Sequence, residues 1–505
     1  MAQMRGPVER TISEEDVQDI LKRQRNEKWF CYALQLFNGI QFSVLAVSMW
    51  PFLKTIDARA EMVFYGWVVA MFPFGQTFGS MLFQYAYRKR GTMYRPVATA
   101  FLLMGIAHAL YVTLPLYASG KWEMLVTRFI FGLGAGNMSV VRANIRSDRI
   151  HDCRWRKVSI DLAMFMLGLT IGPVIAVLCA FLKQKGFMLG ILPVTMYNLP
   201  AFLMVILSCV VTVVALSCFD VNDRRSIPDE ISDFGEPPVP ITLPCFDRLG
   251  AAVCVAIWLV IQCVAVNIEV LMVPFSIALY NWDDQQALFY DGLILFGSTM
   301  VMCAVFVAIG FKKTNNYDGR KAVCVGLILM LLYHLFMIPW PFYPSHYPEP
   351  AVIKAHYSGV CPIAYDWCSS STIVPLPVFI VLTIVLLGFG FAIAGEATGT
   401  LFSAILGPIH LEAIQILFDD VGNLGRCAMA VISTVLFEKF GYFIPMVIQC
   451  GLIALALIAT LICRQRLVRM ELPSPQLSFS EPVTPPLQSV RESNEVPTIY
   501  ITPPE

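Results

Sequence analysis

Four ionisable side chains interrupt long apolar runs: Arg128 in "LVTRFIFGLG", Glu269 in "AVNIEVLM", Glu396 in "AIAGEATG" and Arg426 in "NLGRCAM". An arginine at bilayer depth costs at least ~2.5–3.5 kcal/mol on insertion scales, so water, an acid or an anion must compensate it. An arginine in a watery cavity attracts an anion. A carboxyl at the same depth binds a proton on one side of a membrane and releases it on the other. For Arg128 two readings stand: anion or substrate binding, and snorkelling to the nearer interface or pairing with an acid. For Glu269 they are proton binding and an ion pair between helices. Glu396 follows the same logic, and Arg426 either pairs with Glu396 or faces the cavity. Asn38 and Asn267 line that site or tie helices together. The expected ion pathway is therefore Arg128, Glu269, Arg426, Glu396, Asn38 and Asn267.

The elements that hold these residues follow from hydropathy. The chain has 505 residues, 57% of them hydrophobic and 14% charged, with a mean hydropathy of +0.65. This composition lies far outside soluble globular usage. Its zero net charge gives no reason to expect nucleic acid as a partner. Helices of ~20 apolar residues span a bilayer core. Twelve candidates occur, at 29–53, 62–87, 96–117, 123–145, 158–182, 199–219, 249–280, 287–311, 321–342, 374–406, 412–440 and 442–463. Glu269 lies about eleven residues before the end of the seventh, ~16 Å deep at 1.5 Å per residue. Most of the Lys and Arg fall on one side, which predicts cytoplasmic N- and C-termini. The polar N-terminus predicts no cleaved signal peptide, with the first span acting as anchor.

The chain repeats itself. "MWPFL" at 49–53 and "FYG" at 64–66 close the first span and open the second; "MVPFS" at 272–276 and "FYDG" at 289–292 do the same for the seventh and eighth. "FGLGA" in span four and "LGFGF" in span ten share a G-x-G spacing. The expected fold is an all-α membrane protein of twelve transmembrane helices in two six-helix pseudo-repeat bundles. The expected organisation is a cytoplasmic segment 1–28, a bundle 29–219, a cytoplasmic linker 220–247, a second bundle 248–463 and a disordered tail 464–505. Gly132, Gly134 and Gly136, with Gly168, Gly172 and Pro173, are read as helix-packing positions, where a missing side chain lets neighbouring backbones approach.

These features resemble the major facilitator superfamily. "GLTIGPVIA" at 168–176 is similar to the glycine-proline motif of its antiporters, although Ala176 and Val177 replace two glycines. "DGRK" at 318–321 is similar to its loop motif, and "YAYRKRG" at 85–91 keeps that motif's basic residues without the aspartate. "RFIFGLGAGNMSVVR", "NIEVLMVPFSIALYNWDDQQALFYDGLIL", "CPIAYDWC" and "TLFSAILGP" resemble a lysosomal branch of the superfamily linked to a late-infantile neuronal ceroid lipofuscinosis. The resemblance implies a central cavity lined by spans one, four, seven and ten. It also implies a lysosomal or endosomal membrane, the plasma membrane being the alternative, and a small solute or anion as cargo. Alternating access with possible proton coupling, a chloride channel, and a non-transporting scaffold remain as three readings.

The remaining signals are weaker. Cys361 and Cys368 form a disulfide in a lumenal loop or stay free thiols. The other cysteines mostly sit in apolar runs and read as small hydrophobes. His108 and His334 read as packing residues, and Asp291 as a charge at a helix end. "DVQDIL" at 16–21 is either an acidic dileucine signal for sorting adaptors or one face of an amphipathic helix. Ser474, Thr484 and Thr502 precede prolines and are candidate phosphosites. The sequon Asn137-Met138-Ser139 falls inside span four, where no glycan could be added. Motifs of covalent, metal-hydrolase and nucleotide-driven catalysis are absent, so neither an enzyme nor a cofactor is expected.

Overall fold

The computed structural model describes residues 14–117, 120–146, 154–182, 186–190, 192–222, 246–311, 318–343, 367, 371–407, 411–468 and 470. Span one is α1 (Glu14–Ser43) and α2 (Met49–Ile56), separated by a turn over 44–48. Spans two and three are α3 (Met62–Arg90) and α4 (Tyr94–Thr113). Span four is α5 (Gly120–Ala135) and α6 (Asn137–Arg146), interrupted at Gly136, and spans five and six are α7 (Arg154–Ala180) and α8 (Leu199–Asn222). The second half runs α9 (Arg248–Tyr280), α10 (Asp284–Phe311) and α11 (Gly319–Met337). Span ten is α12 (Leu376–Val381), a π-helical stretch Leu382–Leu387 and α13 (Gly388–Leu406); α14 (Leu411–Phe440) and α15 (Phe443–Ile462) complete it. The helical reading misses one small element. β1 (Phe187–Leu189) pairs antiparallel with β2 (Leu192–Val194), the turn between them using Gly190 at φ +65°.

Local chemistry sets the helix ends. Asp247 caps α9 by accepting from the Leu249 and Gly250 amides, and Asn281 closes that helix in the left-handed region. Gly91 does the same for α3. Within "DGRK", Asp318 accepts from the Arg320 amide and pairs with its guanidinium at 2.9 Å, while Arg320 also donates to the Arg464 carbonyl. The Arg320 guanidinium holds the Asp318 carboxyl below its ordinary range. Ten of the helical stretches among the described residues are long and apolar enough to cross a membrane. Of the other two spans, the first is cut short by the turn at 44–48 after a strongly charged first half of α1, and the second has glutamines and glycines in α3 that lower its hydropathy.

The spans form two six-helix bundles, with α1 on α7, α3 on α5 and α4 on α8 in the first, and α9 on α14, α11 on α13 and α11 on α15 in the second. Glycines close the seams. A Cβ at Gly132 would overlap the Phe72 carbonyl, one at Gly136 the Gly79 backbone, and one at Gly168 the Leu36 carbonyl. A Cβ at Gly172 would overlap the Ser43 hydroxyl, and one at Gly134 would press on Met104. The bundles meet where α7 packs on α10 and α3 on α14.

The apolar core is divided unevenly along the bundle axis. At the end where α9 turns into α10, here the Trp282 end, one continuous core joins both bundles, from Trp50, Phe52 and Tyr65 to Phe275, Trp282 and Tyr442. At the opposite end, here the Arg142 end, the core splits. One cluster holds Tyr94, Phe101 and Ile145 of the first bundle, and a separate one holds Val323, Phe402 and Phe418 of the second.

Candidate functional site

Arg128 sits eight residues inside α5, ~12 Å from its start at 1.5 Å per residue. It is 3% exposed. Among the described residues it makes no hydrogen bond or ion pair, and its Nε has no partner. Its guanidinium lies 5.1 Å from the Phe72 ring and 5.7 Å from the Phe131 ring. Tyr65 and Tyr111 lie within electrostatic reach of it, as do Glu269 and Arg426 across the bundle boundary. Both tyrosine hydroxyls are buried without hydrogen-bond partners among the described residues.

Glu269 and Arg426 face each other between α9 and α14 at 2.5 Å. Arg426 also covers the Phe42 ring of the first bundle at 4.9 Å, and Phe42 meets Phe72 edge to face at 5.2 Å. A continuous path thus runs Arg128, Phe72, Phe42, Arg426, Glu269, joining the bundles through an aromatic pair. It carries two guanidiniums and one carboxylate, an excess positive charge in a desolvated region. Cation–π contacts offset part of the arginine's desolvation but supply no counter-charge.

The other sequence-predicted residues stand apart. Glu396 is 5% exposed on α13; its backbone carbonyl accepts from Thr400, and its carboxyl makes no hydrogen bond or ion pair among the described residues. Arg426 is taken by Glu269, so the Glu396 pairing is not formed. Next to Glu396, Gly395 and Gly399 face open space. Asn38 exchanges amide hydrogen bonds with Asn137 at 3.0 and 3.3 Å, tying α1 to the break in span four. That places Asn137 of the sequon in the bundle interior. Asn267 accepts from Ser433 at 2.7 Å and lines a cavity of about 20 Å³ with Tyr333, Thr383 and Phe379 inside the second bundle. Such a space holds about one water. Cys361 and Cys368 lie outside the described residues. The stretch 16–21 falls in α1.

Several residues emerge only in three dimensions. Phe42 and Phe72 carry no sequence signal distinguishing them from other core aromatics. His108 is buried with its ring 4.8 Å from Phe131, its Nε2 is unpartnered, and it too lies within reach of Arg128. His334 bonds the Met330 carbonyl within its own helix. Asp291, expected at a helix end, is wholly buried. At the Arg142 end two contacts between polar side chains cross between bundles among the described residues: Ser80 donates to Asp420 at 2.7 Å, and Arg142 meets Asp419 at 3.4 Å.

Residues 31–372 match the profile of the Major Facilitator Superfamily, and the chain belongs to that family. It is 24% identical over 489 residues to the Major facilitator superfamily domain-containing protein 8 of Xenopus laevis, covering 88% of this chain and 93% of that protein. Its fold is similar to that of the human organic anion transporter MFSD10 (TETRAN), with a TM-score of 0.55 and 14% identity over 86% of this chain and 99% of that one. It is also similar to a bacterial homolog of the human lysosomal transporter Spinster, solved in an inward-facing and occupied conformation. There the TM-score is 0.58 and the identity 12%, over 87% of this chain and 96% of that one. The nucleoside transporter NupG shares the fold at a TM-score of 0.55 and 11% identity, over 87% of this chain and 99% of that one.

Proposed function

We propose that this member of the superfamily carries a small anionic solute across a lysosomal or endosomal membrane by alternating access, coupled to protons. The observation that carries the reading is the uneven core: one apolar seal joining both bundles at the Trp282 end, two separate cores at the Arg142 end. Two bundles that share an apolar core at one end and meet only through separate cores and polar contacts at the other can open at either end when they rock. The Arg142 end carries most of the basic residues, which supports a cytoplasm-facing opening and cytoplasmic termini. Two guanidiniums against one carboxylate support a negatively charged cargo. The lysosomal assignment rests on the sequence resemblance and on the "DVQDIL" stretch.

A chloride channel needs an open path through both ends, and the seal at the Trp282 end favours a carrier. The test is flux in proteoliposomes containing the full chain and supplied with a panel of small organic anions and chloride. A carrier saturates, responds to a pH gradient and stays below ~10⁴ turnovers per second, because bundle motions take microseconds to milliseconds. Non-saturating flux above that rate overturns the reading. Arg128→Ala is expected to abolish flux while the protein still elutes as a folded species; normal flux in that variant removes Arg128 from the pathway.

A further inference from the structure

A buried acid outside the arginine path has no role so far. Asp291 lies about two turns inside α10 at the sealed Trp282 end and is completely enclosed. The Ser276 hydroxyl of α9 sits 2.5 Å from its Oδ2, and its Oδ1 has no partner among the described residues. Ser276 also lies 2.9 Å from the Val273 carbonyl oxygen one turn back on its own helix.

A hydroxyl carries one proton, and Val273 offers only an acceptor. If Ser276 donates to Val273, the short contact with Asp291 needs a hydrogen from the carboxyl. The surroundings agree. On α9 the titratable side chain within electrostatic reach is Tyr280, whose hydroxyl donates to the Val374 carbonyl. Among the described residues, no Lys, Arg or His of α9, α7 or span ten lies within electrostatic reach of Asp291. A carboxylate enclosed without a cation is the costliest state such a group can take.

The position couples this group to the seam. The next residue, Gly292, packs against α7 of the other bundle so closely that a Cβ there would press on Val177 at 2.5 Å. Parting α7 from α10 at this end would loosen the packing beside Asp291, at the residue next to it in the chain. We propose that Asp291 is a proton-binding site, loaded while the Trp282 end is sealed and exchanging with the compartment at that end when it opens. On loading, a proton passes from a hydronium ion to the carboxylate, forming the O–H bond that donates to Ser276. On release the same bond breaks, the proton returns to water and the carboxylate keeps the electron pair. Glu269 is not equivalent, because Arg426 already neutralises it. The alternation of access rests on the carrier reading; the protonated carboxyl does not.

The test is infrared difference spectroscopy of the full chain in lipid nanodiscs, reading the carbonyl stretch of protonated carboxyls across a pH titration. Wild type is expected to show a protonated-carboxyl band at neutral pH, of which Asp291→Asn removes a component that Glu269→Gln and Glu396→Gln each leave in place. Asp291→Glu is expected to restore a band at a shifted frequency. Asn preserves the shape of the side chain and can donate to Ser276, so the fold is kept, with elution as a monodisperse species as the check. An unchanged band in Asp291→Asn overturns the assignment whatever the flux. Loss of the band together with channel-like flux supports the proton site and removes alternating access instead.

Discussion

The two ends of the bundle pair are held by different physics. At the Trp282 end the halves share a core of large apolar side chains, reinforced where Val63 donates to Glu438 and Tyr197 donates to Asp284 across the boundary. At the Arg142 end each half keeps its own core, and among the described residues the links between polar side chains are Ser80 with Asp420 and Arg142 with Asp419. Apolar burial is non-directional and scales with area, so the first seal tolerates small displacements. An ion pair or hydrogen bond depends on geometry and is replaced by water once it opens. The contrast teaches that two ends of one bundle pair can be closed by unlike interactions, one by area and one by geometry.

The comparison breaks most severely at its midpoint. Glu269→Gln leaves Arg426 enclosed against Phe42 without counter-charge, and breaking a buried pair costs about 3–5 kcal/mol. A marked fall in melting temperature and loss of flux are expected. The double variant Glu269→Gln/Arg426→Gln is expected to regain stability but not flux, as thermal unfolding and proteoliposome uptake would show.

The seal itself is tested at Gly66, where a Cβ would overlap the Thr434 hydroxyl of the other bundle. Overpacking costs about 1–3 kcal/mol. Gly66→Val is therefore expected to move the equilibrium about 5- to 150-fold away from the sealed Trp282 end. Spin labels on α3 and α14 near that end would report the lengthened distance; an unchanged distribution would mean the seal yields locally instead.

A smaller effect sharpens the other side. Ser80→Ala with Asp419→Asn removes both polar links at the Arg142 end. Each net hydrogen bond contributes about 0.5–1.5 kcal/mol, so a several-fold shift toward wider separation there is expected. Labels on α6 and α14 would measure it.

The smallest effect falls on a link inside one bundle. Asp318 is held below its ordinary range by Arg320, so its contribution is present above the usual aspartate range. That contribution is lost as pH falls through the lowered value. Asp318→Asn is expected to flatten the acid limb of melting temperature against pH slightly, leaving the distances at both ends unchanged.

Much of this architecture is legible in the sequence. Apolar run lengths and the paired "MWPFL" and "MVPFS" segments reveal two six-helix halves, because hydropathy and repetition are local properties. The breaks at 44–48 and at Gly136 are not legible, because hydropathy does not register a changed hydrogen-bonding pattern. The rotational setting of helices is equally hidden. Arg426 stands within sequence reach of Glu396 yet points at Glu269, and Asn267 turns into its own bundle toward Ser433. Asp291 looked like a helix-end charge because its span begins in a polar stretch, whereas α10 starts about two turns earlier.

The π-helical stretch Leu382–Leu387 carries a consequence for how this chain can vary. A wide turn of this kind accommodates one residue more than an α-helical turn. Deleting a single residue there would let span ten wind as a regular α-helix while everything beyond it keeps its facing, because the wide turn already absorbs the extra residue. Gly388, Gly390 and Glu396 would then keep their neighbours. The same deletion inside α13 would instead turn the residues beyond it by about 100°, so this stretch is where span ten can gain or lose a residue at least cost to the wall of the second bundle.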